Sequence, residues 1–134
     1  MVAFKLVIGM KDGKTVQKEI PEDQAVSFIG KKIGDKFNGD IVGIEGYEFQ
    51  ITGGSDISGT PMRKDLDGPA KRKILCVSGV GVKGSVDKGV RIRKSVAGNT
   101  ISQSISQVNV KIIKEGKAPL VAPKEEGKTE EAAK

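Results

Sequence analysis

One cysteine and no histidine among 134 residues leave the common zinc sites without ligands within one chain and remove Ser-His and Cys-His catalysis. Abundant valine and isoleucine and 18 glycines, set against few aromatic residues, favour a single mainly β domain of short strands and tight bends. The net charge of +6 is unevenly placed: Arg63 to Lys94 holds ten cations against three acids, the footprint of a polyanion site or of a solvated lysine-rich surface.

No apolar run approaches the roughly 20 residues that span a bilayer. The opening "MVAFKLVIGMKDGK" lacks a basic segment ahead of a long apolar core. Cys76 lies inside the apolar run "ILCVS", which suits core packing in a reducing compartment. A cytoplasmic protein without a membrane partner is expected.

In chain order, "AFKLVIG" alternates with Phe4, Leu6 and Ile8 on one face and predicts a strand. Asp12-Gly13 predicts a two-residue hairpin turn into "KTVQKEI". Pro21 and the acids after it predict one short helix near residues 22–30, stopped by Gly30. "GDKFNGDIVGIEG" reads as turns, and "YEFQIT" as the next strand. "KRKILCVS", "GVRIRKSV" and "ISQVNVKIIK" follow as strands, so the pattern predicts a small β-barrel or sandwich over residues 1–114. Residues 115–134, rich in Glu, Lys, Ala and Pro, predict a disordered charged tail.

Two glycine patterns imitate nucleotide sites. "GMKDGKT" has three residues between its glycines where a phosphate-binding loop needs four, and a strand follows instead of a helix. Gly79, Gly81 and Gly84 satisfy G-x-G-x-x-G, yet β-branched residues follow and no acid lies between Ser95 and Lys114. A flexible loop permitting close backbone approach is the better reading, and no cofactor or small-molecule substrate is expected.

The stretch "GVRIRKSVAGNT" places Arg91 and Arg93 on one face of a strand and Val90, Ile92 and Lys94 on the other. Paired guanidiniums suit bidentate phosphate contact, with Ser95, Asn99 and Thr100 as neutral donors. An exposed edge strand guarded by its charges is the plainer alternative. With few aromatic residues, recognition of RNA is expected through backbone and shape instead of base stacking.

In "FQITGGSDISGTPMRK", Asp56 stands alone, with no second acid for a divalent metal or for paired-carboxylate catalysis. It fits a turn organiser between Ser55 and Ser58. Gly53, Gly54 and Gly59 supply positive φ or close approach, and Pro61 and Met62 form a stiff exit toward Arg63 and Lys64.

"ITGGSDISGTPM" resembles the signature of the small-subunit ribosomal protein six family of archaea and eukaryotes (the S-six-e type), and "RIRKSVAGNTIS" resembles its second hallmark. The likeness runs in order from the first strand to about Lys114. It departs at Ala97, where many members have Arg, at Thr60, where Phe is common, and in the less basic loop from Gly81 to Lys88. The short charged tail resembles the archaeal form of the family, without the long basic extension of eukaryotic members.

The resemblance implies a non-enzymatic constituent of the small ribosomal subunit that binds ribosomal RNA and neighbouring ribosomal proteins. Arg63, Lys64, Lys71, Arg72, Arg91, Arg93 and Lys94 are the expected phosphate contacts, with Ser95 and Asn99 as weaker ones. A free-standing RNA-binding or assembly factor is the alternative, ahead of a nucleotide-binding enzyme using Gly79 to Gly84.

Overall fold

Alternation in Phe4–Gly9 (β1) buries Phe4, Leu6 and Ile8 on one face. The computed structural model, which describes residues 4–82, 88–117 and 120, pairs this strand antiparallel with Thr15–Ile20 (β2). The connection differs from the expected two-residue turn. Met10 N–H donates to the Lys14 carbonyl (2.8 Å) and Gly13 N–H to the Met10 carbonyl (3.1 Å), leaving Lys11, Asp12 and Gly13 as the loop. Only Gly13 takes a positive φ, +91°, whereas the Asp-Gly form of the two-residue turn needs it at both central residues.

Pro21 precedes a short helix, Glu22–Ala25 (α1), which tightens into a 3-10 turn at Val26–Phe28, inside the expected range. Ala25 and Phe28, three residues apart, are both fully buried. The stretch expected to be turn-rich also carries a strand, Lys36–Asn38 (β3), beside a second 3-10 turn at Gly39–Val42. Its glycines hid a strand too short to show alternation.

The remaining strands are Glu48–Asp56 (β4), Lys71–Cys76 (β5), Ile92–Ala97 (β6) and Ile105–Lys114 (β7). Five of the seven form one sheet in the order β2-β1-β7-β4-β3, and β5 pairs with β6 in a separate antiparallel ribbon. β7 lies at the centre, parallel to β1 and antiparallel to β4, and buries Ile105, Val108, Val110 and Ile112.

All five aromatic side chains meet in one continuous row beneath this sheet. Phe28 contacts Phe4 and Phe37 edge-on, with centroids 5.5 and 4.9 Å away, and Phe37 leads to Phe49 and then to Tyr47. Each such ring pair contributes about 0.5–1.5 kcal/mol beyond its buried area.

The mainly β class matches the sequence pattern, but no closed barrel forms among the described residues. The ribbon joins the larger sheet through isolated bridges, Ser55 with Pro61, Met62 with Ala97 and Lys32 with Thr100, and no continuous ladder links their outer strands. Between Asp56 and Lys71 the chain contributes isolated bridges and turns but no strand, so no continuous ladder closes the sheet onto the ribbon. At the expected tail boundary, Gly116 lies against Tyr47 and Leu120 packs on the core. Residues 118, 119 and 121–134 of the expected tail lie outside the described residues.

Candidate nucleic-acid interface

The end of β4 is shaped by the glycine-rich signature. A Cβ on Gly54 would collide with the Gln107 carbonyl of β7 and meet Met62 Sδ at 3.0 Å. The chain reverses at Gly59, whose φ is +84°, and returns so closely that Met62 N–H donates to the Gly54 carbonyl at 2.9 Å. Gly53 differs from expectation. It has neither a positive φ nor a close neighbour, and it marks a register shift between β4 and β7.

Asp56 organises this reversal. Its Oδ1 accepts Ser58 N–H at 3.0 Å, and its Oδ2 lies 3.3 Å from Lys71 Nζ. Lys71 also donates to Ser58 Oγ at 2.7 Å. The Ser58 amide holds the Asp56 carboxyl below the usual carboxylate range; Lys71 acts the same way, and partial desolvation opposes both. The loop therefore carries a pinned carboxylate. Its polar atoms are engaged in shaping backbone, as the sequence suggested.

The returning segment then splices the two sheets. Ala97 N–H donates to the Pro61 carbonyl at 2.8 Å, and Arg63 N–H to the Ala97 carbonyl at 3.0 Å. Buried Met62 thus sits between β4 and β6. Two expected phosphate contacts prove to be engaged here. Arg63, whose side chain is 16% exposed, pairs with Asp65 at 3.0 Å and donates to the Val80 carbonyl at 3.0 Å. Asn99 is buried, donating through Nδ2 to the Lys64 carbonyl and to Asp67 while Oδ1 accepts from Thr100.

The other expected cations converge on the β5–β6 ribbon and its base. Its register pairs Lys71 with Ala97, Lys73 with Ser95 and Leu75 with Arg93 on one face, and Arg72 with Val96, Ile74 with Lys94 and Cys76 with Ile92 on the other. Arg91 continues the alternation just before β6. The second face is inward only in part: Val96 and Cys76 are buried, and a Cβ on Gly81 would meet Val96 Cγ1 at 2.9 Å, whereas Arg72 and Lys94 stay exposed. Cys76 is buried, as expected, donates to the Ile92 carbonyl, and packs within the ribbon apart from the main core cluster.

The first face is open. Lys73, Leu75, Arg93 and Ser95 are exposed, as are Arg91 and Lys64. Neither β5 nor β6 contains an acid, and Arg72, Lys73, Arg91, Arg93 and Lys94 form no ion pair with any of the described residues. Lys73 was left out of the expected contacts. Alternation from Lys71 could have found it, since Lys73 lies two residues on and on the same face.

The glycine decoy has a packing explanation. Gly79 (φ +107°) lies under the Arg63 guanidinium, and Gly81 makes room for Val96. Gly84 lies outside the described residues.

Residues 4–124 match the family model described as ribosomal protein S6e. The chain is 45% identical over 119 residues to small ribosomal subunit protein eS6 of Methanococcus maripaludis, covering 89% of this chain and 94% of that one. Against the protein of the same name from Methanothermobacter thermautotrophicus it is also 45% identical, covering 89% and 93%. The counterpart from Nanoarchaeum equitans is 48% identical over 109 residues, covering 81% and 79%. The structural signature around Asp56 and the basic strand β6 both fall inside the matched range. On this likeness across most of its length, the chain belongs to the ribosomal protein S6e family.

Proposed function

We propose that this chain is a non-enzymatic structural constituent of the small ribosomal subunit in the cytoplasm, binding ribosomal RNA through its basic ribbon. One observation carries the reading: β5 and β6 present Lys71, Arg72, Lys73, Arg93 and Lys94 together, with no acid in either strand. Such a surface gains affinity for a polyanion by releasing condensed counterions. Lys64, Lys71, Arg72, Arg91, Arg93, Lys94 and Ser95 are the proposed contacts. Arg63 and Asn99 fix the base on which they stand, and other parts of the surface face neighbouring ribosomal proteins.

Sedimentation of cell extract through a sucrose gradient tests this. The protein is expected in the small-subunit fractions after a moderate salt wash. Recovery only at the top of the gradient would instead identify a free-standing RNA-binding or assembly factor.

A further inference from the structure

The form of RNA that the ribbon takes follows from where the aromatic side chains lie. Single-stranded sites offer splayed bases, which proteins commonly hold on exposed aromatic rings. This chain has four phenylalanines, one tyrosine and no tryptophan. All five are buried in the core, none more than 7% exposed. No aromatic platform for a base exists anywhere on the molecule.

The outward ribbon face offers a different set of groups. Lys73 and Arg93 stand diagonally across it, Ser95 lies opposite Lys73, and Leu75, 53% exposed, lies opposite Arg93. That is two cations for phosphates, a hydroxyl able to donate or accept, and an apolar contact at the middle. A-form RNA presents the matching surface in its wide, shallow minor groove, where ribose 2′-hydroxyls lie between two phosphate rows. Arg72 and Lys94 belong to the opposite face, whose Val96 and Cys76 are buried.

We infer that the outward face of the β5–β6 ribbon grips double-helical RNA across its minor groove, with Lys73 as a further phosphate contact and Ser95 reading the ribose hydroxyl. This rests on the ribosomal RNA reading above and specifies the form of RNA at that site.

The test is fluorescence anisotropy of the full chain against a blunt RNA duplex of about 16 base pairs, its separate single strand and a DNA duplex of the same sequence. Isolated small-subunit ribosomal RNA serves as the reference. The RNA duplex is expected to bind about tenfold tighter than either alternative, by virtue of its groove shape and 2′-hydroxyls. Lys73→Ala and Arg93→Ala should each reduce the salt slope by about one unit, while Lys36→Ala, an exposed lysine on β3 away from the ribbon, leaves it nearly unchanged. Ser95→Ala should narrow the gap between RNA and DNA.

All four side chains are exposed and form no ion pair with described residues, and circular dichroism of each variant checks that it folds. A single strand or DNA duplex bound as tightly as duplex RNA would overturn the inference. So would Lys36→Ala matching Lys73→Ala. If ribosomal RNA is retained while the duplex shows no advantage, only this inference fails. If ribosomal RNA itself is not retained, the ribosomal RNA reading fails with it.

Discussion

Asp56 was legible as a turn organiser because it stood among serines and glycines without a second acid, a pattern that favours local hydrogen bonding. Its partner Lys71, fifteen residues on, was not legible, since only the splice through Pro61 and Met62 brings β5 beside the loop. The folded carboxyl has a lowered pKa, so it contributes stability above the ordinary value of 3.8, and that contribution is lost as pH falls through the lower folded value. Asp56→Asn should therefore cost about 1–2 kcal/mol near neutrality in urea unfolding, with the gap to the parent closing in acid. A gap that persisted unchanged at low pH would assign the loss to something other than the charge. The glycines divide by the same local reasoning. A Cβ on Gly98 would overlap the Gly68 carbonyl, so Gly98→Ala and Gly54→Ala should each cost about 1–3 kcal/mol or more. Gly53→Ala, with open space around it, should stay within about 0.5 kcal/mol, and urea midpoints of the three variants check this ordering.

At the scale of elements, period-two alternation found β1 and β7, each with a buried and a wetter face, while β5 and β6 were legible as β-type runs between glycine turns. It missed β3, where Phe37 is the single buried residue of three, and no periodicity can be read from one residue. Pairing was less legible than the strands themselves. Nothing local says that the first and last strands run parallel side by side, or that β5 and β6 leave the sheet as a ribbon. The candidate interface followed suit: sequence identified the cations, but the cross-strand register decided which share a face and which, like Arg63, are held in the scaffold. Replacing Arg91, Arg93 and Lys94 together with Ala should flatten the salt dependence of RNA binding by about two to three units. Arg63→Ala should instead lower the urea midpoint and leave the salt slope nearly intact, since its guanidinium already satisfies Asp65 and the Val80 carbonyl. A slope change in Arg63→Ala equal to that of a ribbon arginine would place its charge at the RNA.

For the whole molecule, apolar burial and positive charge occupy different parts. The five-stranded sheet and the helical segment Glu22–Phe28 hold the aromatic row and most of the fully buried aliphatic side chains, whereas the ribbon buries chiefly Val96 and Cys76. Removing one ring of that row, as in Phe28→Ala, should cost about 3–5 kcal/mol, a large fraction of a small domain's stability. The ribbon has no such anchor, its outer edge at β5 pairs with no other described strand, and its cations face one another diagonally across the ladder. Local opening should therefore be much easier there than in the sheet. Amide hydrogen exchange of the free protein should be slowest in β1, β7 and the first half of β4, and faster in β5 and β6. Bound RNA supplies the missing counter-charge, so exchange in β5 and β6 should slow on addition of ribosomal RNA while the sheet changes little. Equal protection of ribbon and sheet in the free protein would mean that the ribbon is held by contacts other than those described, and that RNA is not needed to quiet it.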